Sequence, residues 1–357
     1  MIKIMHIADI HFETKSGELS PDKSEIRRRE IKETFSKSID IAIKEDVKII
    51  LIAGDVFDSD YIGTDTIEFL KREFERIKDI YVFISPGNHD PYTMKAYSAL
   101  KENLSGNVKI FENRLEGIEI KELNTRVFGY GFEDIYVKES VLSSFKAPCD
   151  DMINLCVIHA DLSKESDYNP LTNQDILNSN LNYIALGHTH TFSGVLKSGN
   201  TYYAYPGTME PHGFDETGSK GVIIGNIGKN ECLLEFLPVS KRQYNVIDID
   251  ISDCEIFEDV SNKIKQALTA QENLYKITFV GEKSENLSLN LKMITELFEN
   301  DVFFVKFKDD TVSKVDINEI AKEFTLKGIC AKKIIENTNE ENKEFYQKVF
   351  KYLLELF

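Results

Sequence analysis

The sequence predicts an α/β protein, a sandwich of two sheets with helices on the outer faces, followed by a small α/β module and C-terminal helices. Three observations carry that expectation. Over the first 105 or so residues, short apolar runs alternate with amphipathic helical stretches, the order of βαβ units and a parallel sheet. From there to about residue 240 the rhythm changes to shorter, strand-rich segments, which suits a second sheet packed on the first. At 357 residues the chain also exceeds one average domain, so at least one further module is expected.

The elements follow in order. IKIMHIAD (2–9) reads as a buried strand, and SEIRRREIKETFSKSIDIAIKED (24–46) as a helix with apolar positions at helical spacing. VKIILIAGD (47–55), TDTIEFLKREFERIKD (64–79) and IYVFISPGN (80–88) repeat strand, helix, strand. TRVFGYGF, MINLCVIH, NYIALGH, FSGVLKSGNTYYAY and KGVIIGNIG are the later strands, and Ser-Gly-Asn inside the fourth is a hairpin signal. A boundary falls near LEFLPVSKRQYNVIDIDIS, ending a first domain at 1–240. Residues 244–310 then read strand, helix, strand, helix, strand, a small α/β domain, and 311–357 read as a helical segment. Its end, NKEFYQKVFKYLLELF, is strongly apolar, so it either docks on its own domain or offers a face to a partner helix.

Composition narrows the function classes. Hydrophobic content of 42% and charged content of 29% are ordinary for a soluble globular protein. No run approaches the ~20 apolar residues of a membrane span, and the N-terminus does not read as a signal peptide. The five cysteines are scattered with no CxxC pair, as expected of reduced core thiols in a cytoplasmic protein. The net charge of −17 argues against tight, unaided nucleic-acid binding, because such proteins usually show a basic face. Residues 241–357 are acidic too, with 17 Lys+Arg against 22 Asp+Glu.

The chemistry gathers at strand ends. HIADIH closes the first strand with Asp9 and His11, LIAGDVFDSD the second with Asp55, and ISPGNHDPY the third with Asn88, His89 and Asp90. LCVIHAD adds His159, and ALGHTH adds His188 and His190. Strand periodicity would put Asp9 with His11, and His188 with His190, on shared faces. Ligands of open α/β sheets bind beyond the carboxyl ends of strands. Five of the seven histidines fall in these motifs, which leaves little room for reading His188 and His190 as surface-loop residues. Seven N/O donors without a thiolate suggest two hard-to-borderline divalent metals rather than one structural zinc. A carboxylate can bridge two such ions ~3.5–4 Å apart, the spacing that clamps a phosphate during in-line displacement. His89 is left over and, protonated, could stabilise the transition state or protonate the leaving oxygen. Asp90 either holds the His89 ring or is a turn-forming residue before Pro91. His6 reads as a satisfied core histidine and His212 as a loop histidine, while Tyr202, Tyr203, Tyr205 and Phe214 read as packing.

Taken together, Asp9-x-His11, Gly54-Asp55, Gly87-Asn88-His89-Asp90, His159 and Gly187-His188-x-His190 resemble the five-motif pattern of calcineurin-like metallophosphoesterases. Asp58 in GDVFD, and YAYPGTMEPHGFDETGSKGV (203–222), are similar to the SbcD/Mre-type nucleases of DNA double-strand-break repair. The resemblance implies that Asp9, His11 and His190 hold a first metal, that Asn88, His159 and His188 hold a second, and that Asp55 bridges. It implies His89 as the catalytic histidine, with Asp90 grouped beside it, and most often manganese, with Fe2+, Mg2+ or Zn2+ as other ions. It further implies a DNA exonuclease, with endonuclease action also open, and a capping domain over 244–310. The implied partners are a Rad50/SbcC-like ATPase and a second copy, the dimer contact coming from the helix at 65–80 and the helix following PYTMKAYSALKENL. Ala160 departs from relatives that carry glycine after this histidine, which bears on the local loop alone. The alternatives are a phosphatase or a small-molecule or cyclic-nucleotide phosphodiesterase of the same superfamily, or a scaffold with a vestigial site. The full donor set argues against the last.

Overall fold

The computed structural model describes residues 1–15, 17–58, 62–102, 104–284, 287–314, 317–340 and 342–356. They divide into two compact units, Met1–Asn245 with Glu272–Leu274, and Val246–Gln271 with Tyr275–Phe357.

In the first unit, β1 (Ile2–Ile7) is followed by α1 (Pro21–Lys44), β2 (Ile49–Ile52), α2 (Thr64–Arg76), β3 (Tyr81–Ile84), α3 (Lys95–Lys101) and β4 (Val108–Ile110). Helix α1 starts earlier than its apolar periodicity suggests, because Ser20 caps the Lys23 N–H and Pro21 suits the first turn. β5 (Glu116–Ile120), β6 (Thr125–Tyr130), β7 (Ile153–His159), α4 (Asn173–Asn178) and β8 (Tyr183–Gly187) come next. They lead to β9 (Leu196–Ser198), β10 (Thr201–Ala204), β11 (Gly221–Ile227) and β12 (Cys232–Pro238). The hairpin expected at Ser-Gly-Asn joins β9 to β10, with Gly199 at a φ of 59°.

Among the described residues these strands make two six-stranded sheets, ordered β12-β11-β1-β2-β3-β4 and β5-β6-β7-β8-β10-β9. The last two strands of the strand-rich stretch return to the first sheet, β11 running antiparallel to β1 while β2 runs parallel to it. Side chains alternate between cores in the expected two-residue period. Met5, Ile7, Ile50 and Ile52 face α1 and α2 with Phe35 and Leu70. Ile4, Ile49, Leu51 and Phe83 meet Val127, Leu155, Val157 and Tyr183 between the sheets. Cys156, Ile158, Ile184 and Leu186 face outward under Ile176 of α4. Burial on both faces explains why these strands read as continuous apolar runs. The sandwich also brings the loops after β1, β2, β3, β7 and β8 to one edge.

Apart from Tyr244, Asn245 and Leu274, which fall in the first unit, the second unit holds in order β13 (Tyr244–Asp250), α5 (Phe257–Ala267), β14 (Leu274–Val280), β15 (Glu282–Lys283), α6 (Leu291–Phe298), β16 (Phe304–Asp309) and β17 (Val312–Ser313). A three-stranded sheet ordered β13-β14-β16 packs Ile249, Tyr275, Ile277 and Phe279 against Val260, Ile264, Ile294 and Phe298. Helices α7 (Ile317–Ile320), α8 (Leu326–Asn337) and α9 (Lys343–Leu356) complete the chain. In the apolar tail Phe350 packs against the cluster of Ile320, Ala321 and Ala331, whereas Phe345 and Tyr352 are exposed; the side chains of 353–357 lie outside the described residues. No helix among the described residues is long and apolar enough to cross a membrane.

Candidate metal centre

The loops leaving β1 and β2 run side by side. The N–H groups of His11 and Phe12 donate to the carbonyls of Asp55 and Val56 at 2.9 and 2.8 Å, and that of Asp58 returns to Phe12 at 3.1 Å. The chain has already left the strands here. Asp9, His11 and Asp55 have φ values of 51°, 53° and 50°, and His188 has 109°. Left-handed backbone is costly for side chains of this kind and is concentrated at functional sites. Shared strand faces are therefore not what aims these residues, contrary to the periodicity argument. Each turn aims its own side chain.

The seven donors converge around Asp55. The Nε2 atoms of His11 and His190 lie 3.2 Å apart, and Asp9 belongs to the same cluster of potential ligands. On the other side, His159 Nε2 lies 2.8 Å from Asn88 Oδ1, 3.3 Å from His188 Nδ1 and 3.4 Å from Asp55 Oδ2. His188 Nδ1 is also 3.3 Å from Asn88 Oδ1. Asp55 Oδ2 stands 3.9 Å from His11 Nε2, so one carboxylate touches both groups. His188 and His190 thus serve opposite sides of Asp55. Asp9 supports this by accepting the His188 backbone N–H at 3.0 Å. Gly187 permits the close sheet approach, since a Cβ there would lie 1.6 Å from the Ala53 carbonyl oxygen.

Three imidazoles have the far nitrogen engaged by an acceptor. His159 Nδ1 donates to the Ala53 carbonyl at 3.1 Å, His190 Nδ1 meets Glu216 Oε1 at 2.5 Å, and His11 Nδ1 lies 3.4 Å from Asp58 Oδ1. An acceptor on one ring nitrogen places the proton there and the lone pair on the other. Burial opposes charging of His190, but Glu216 and Asp9 outweigh it and raise its pKa; in the neutral ring the Nε2 lone pair faces that of His11, an arrangement that a cation between them relieves. Burial lowers the pKa of His159, and takes that of His188 to about 4, which keeps both as neutral donors. Burial and the Asp55 charge push the Asp9 carboxyl up. For Asp55 itself, burial acts upward but His159, His11 and His89 outweigh it, so its pKa is lowered. Apposed carboxylates and neutral imidazoles without thiolate are the donor chemistry of divalent cations, so the residues present fit such ions.

His89 is the exposed member, beside His11 at a ring-centroid distance of 5.1 Å. Its Nδ1 sits 2.9 Å from Asp58 Oδ1, and this hydrogen bond raises its pKa to about 9. Asp90 does not hold that ring. Its buried carboxylate accepts the N–H groups of Gly87, Asp55, Val56 and Phe57 at 2.7, 3.1, 2.7 and 3.2 Å, and the Tyr97 hydroxyl at 2.6 Å. Neither of the two roles weighed for Asp90 describes these contacts; its carboxylate clamps together the loops after β2 and β3. Five donors already occupy its two oxygens.

Two functional carboxylates were not assigned a role from sequence. Asp58 stood out only as part of GDVFD, although three residues beyond Asp55 in a turn is a spacing that brings it back to the same site. Glu216 lies 26 residues from His190, with no local pattern to connect them. His212 is also closer to the site than a plain loop histidine, its ring 5.1 Å from that of His11. His6 is buried with Nδ1 2.9 Å from the Tyr183 hydroxyl, and burial takes its pKa to about 3. Tyr203 and Tyr205 are buried, and Phe214 packs edge-on against Tyr244.

Residues 2–192 match the calcineurin-like phosphoesterase family. Among curated proteins, the chain is 26% identical over 350 residues to the DNA double-strand break repair protein Mre11 of Saccharolobus solfataricus, covering 88% of this chain and 84% of that protein. It is 25% identical over 288 residues to the uncharacterized metallophosphoesterase YhaO of Bacillus subtilis, covering 74% of this chain and 69% of that one. It is likewise 25% identical over 294 residues to a subunit of the nuclease SbcCD of Staphylococcus epidermidis, covering 71% of this chain and 74% of that one.

Proposed function

Since the chain belongs to the calcineurin-like phosphoesterase family, whose members are hydrolases that use divalent metals, we propose that it is a two-metal DNA nuclease of double-strand-break repair. The observation that carries the hydrolytic reading is the convergence of the six other donors on Asp55, with imidazole nitrogens of His11 and His190 3.2 Å apart. The DNA reading is supported by likeness to a named repair protein over 88% of the chain, well beyond the phosphoesterase match.

Asp9, His11 and His190 would hold one ion, Asn88, His159 and His188 the other, and Asp55 both. Such ions, most often manganese in this reading, supply Lewis acidity toward the phosphate and activate water at neutral pH. The protein's own residues do the rest. His89, protonated at neutral pH, donates from Nε2 to a phosphate or leaving oxygen while Asp58 holds Nδ1. Asp90 holds the two loops that carry Asp55, Asn88 and His89 in register. The proposal extends to residues 244–310 as a capping domain and 311–357 as the seat of a Rad50/SbcC-like ATPase. It also extends to a homodimer and a cytoplasmic setting.

The test is hydrolysis, with manganese, of end-labelled linear duplex DNA beside a generic aryl phosphodiester, with His89→Ala and Asn88→Ala as controls. Degradation of the duplex by the wild type and by neither variant is the expected result. Cleavage of the small diester alone, with or without the ATPase, would move the chain to the phosphatase or small-molecule phosphodiesterase class.

A further inference from the structure

The block 203–222 holds chemistry that the donor set does not use. It leaves β10, turns at Gly207 with a φ of 77°, and passes under His190 before entering β11. A Cβ at Gly207 would meet the His190 carbonyl oxygen at 2.9 Å, so the two segments are in close backbone contact. Lys220 Nζ donates to that same carbonyl at 2.7 Å. Glu216, buried within the block, directs Oε1 at His190 Nδ1 at 2.5 Å. Its Oε2 accepts the His212 backbone N–H at 2.9 Å and the Thr208 hydroxyl at 3.5 Å, and lies 3.2 Å from His212 Nδ1.

We propose that Glu216 is a positioning residue, which fixes the Nδ1–H tautomer and ring orientation of His190 so that Nε2 faces Asp9 and His11. The inference rests on the two-metal reading above and adds to it the carboxylate behind one ligand. Its physical basis is the general behaviour of metal-binding imidazoles, whose second nitrogen is held by an outer acceptor and whose affinity falls about 10–100-fold when that acceptor is lost. The geometry singles out Glu216, because its Oε2 is held by its own block while its Oε1 faces His190 Nδ1. Thr208 and the His212 amide hold the carboxylate, and Lys220 holds the backbone of the residue it serves. Glu216 therefore acts on one side of Asp55 only. His159, on the other side, takes its proton acceptor from the Ala53 carbonyl, which no side-chain substitution removes.

Manganese titration calorimetry on the full chain, comparing wild type with Glu216→Ala and Glu216→Gln, tests this. Wild type should take up two ions. Glu216→Ala should weaken one of them by about 10–100-fold and leave the other unchanged, and Glu216→Gln, which keeps an acceptor oxygen, should recover part of the loss. In the metal-free proteins at alkaline pH, where His190 is neutral, histidine 15N spectra should show the Nδ1–H tautomer at His190 in wild type and a mixture in Glu216→Ala, the signal being assigned by its loss in His190→Gln. Equal weakening of both ions would make Glu216 merely structural and would overturn the inference, as would unchanged binding and tautomer in both variants. A wild type that binds fewer than two ions would overturn the two-metal reading itself, a different result from two tight ions that ignore Glu216.

Discussion

At the residue scale, His89 is set apart from the other site imidazoles by its exposure and by the closer approach of Asp58, a carboxylate it shares with His11. Three of them give their far nitrogen to an acceptor and are aimed inward, whereas His89 is half exposed and paired with Asp58 at 2.9 Å. The pairing favours the imidazolium, so His89 is suited to give a proton rather than a lone pair. General acids of this kind contribute roughly 10²–10⁴-fold, and only where the leaving group needs a proton. His89→Gln should therefore cost roughly 10²–10⁴-fold in kcat on DNA, whose leaving alkoxide is basic, and much less on an aryl diester whose phenolate departs unaided. Asp58→Asn should show the same bias on top of a loss common to both substrates, because Asp58 also holds Nδ1 of His11. Equal losses on the two substrates would mean that His89 stabilises charge on the phosphate and transfers no proton. The residues aimed at the site were legible because His, Asp and Asn end five apolar runs. Their supporting carboxylates were not, because Asp90 reaches back 35 residues to Asp55 and Glu216 reaches back 26 to His190.

At the scale of elements, α1 anchors the block that carries Glu216. Arg27 donates to Glu30 at 2.7 Å and to Glu210 at 2.9 Å, and Thr34 donates to Glu210 at 2.6 Å. Arg242 joins from the end of the unit, with Nη2 at 2.6 Å from Glu30. Burial raises the pKa of Glu30, but hydrogen bonds from Arg242 and Arg27 outweigh it and leave the group below its ordinary 4.5. The sign follows from linkage. A carboxyl with a lowered folded pKa contributes stability that is complete above pH 4.5 and is lost as the pH falls toward the folded value. Glu30→Gln should lower stability by about 1–3 kcal/mol at neutral pH, and its gap to wild type in denaturant melts should close below pH 4.5. A gap independent of pH would locate the cost in packing. The strands were legible because burial on both faces leaves unbroken apolar runs. Their ends were not, since Asp9, His11, Asp55 and His188 leave the sheet through left-handed turns that a two-residue period does not anticipate.

At the scale of the whole molecule, the net charge of −17 bears directly on how the chain would hold DNA if the proposed nuclease activity is its own. Proteins that bind duplex through a basic face release condensed counterions, and their affinity falls steeply with salt, with log–log slopes near −10 in strong cases. This chain has no charge surplus for that. Its contact with DNA should centre on the phosphate at the metal centre. The salt slope of the chain alone should therefore be shallower than about −3, and a chelator should abolish most of the remaining binding. Adding the proposed ATPase partner should steepen the slope, because the phosphate contacts would then come from its surface. Fluorescence anisotropy on a labelled duplex across a salt series, with and without manganese, reads both quantities. A steep slope for the chain alone that survives chelation would show a basic strip along the fold, and the acidic total would then say nothing about how DNA is held.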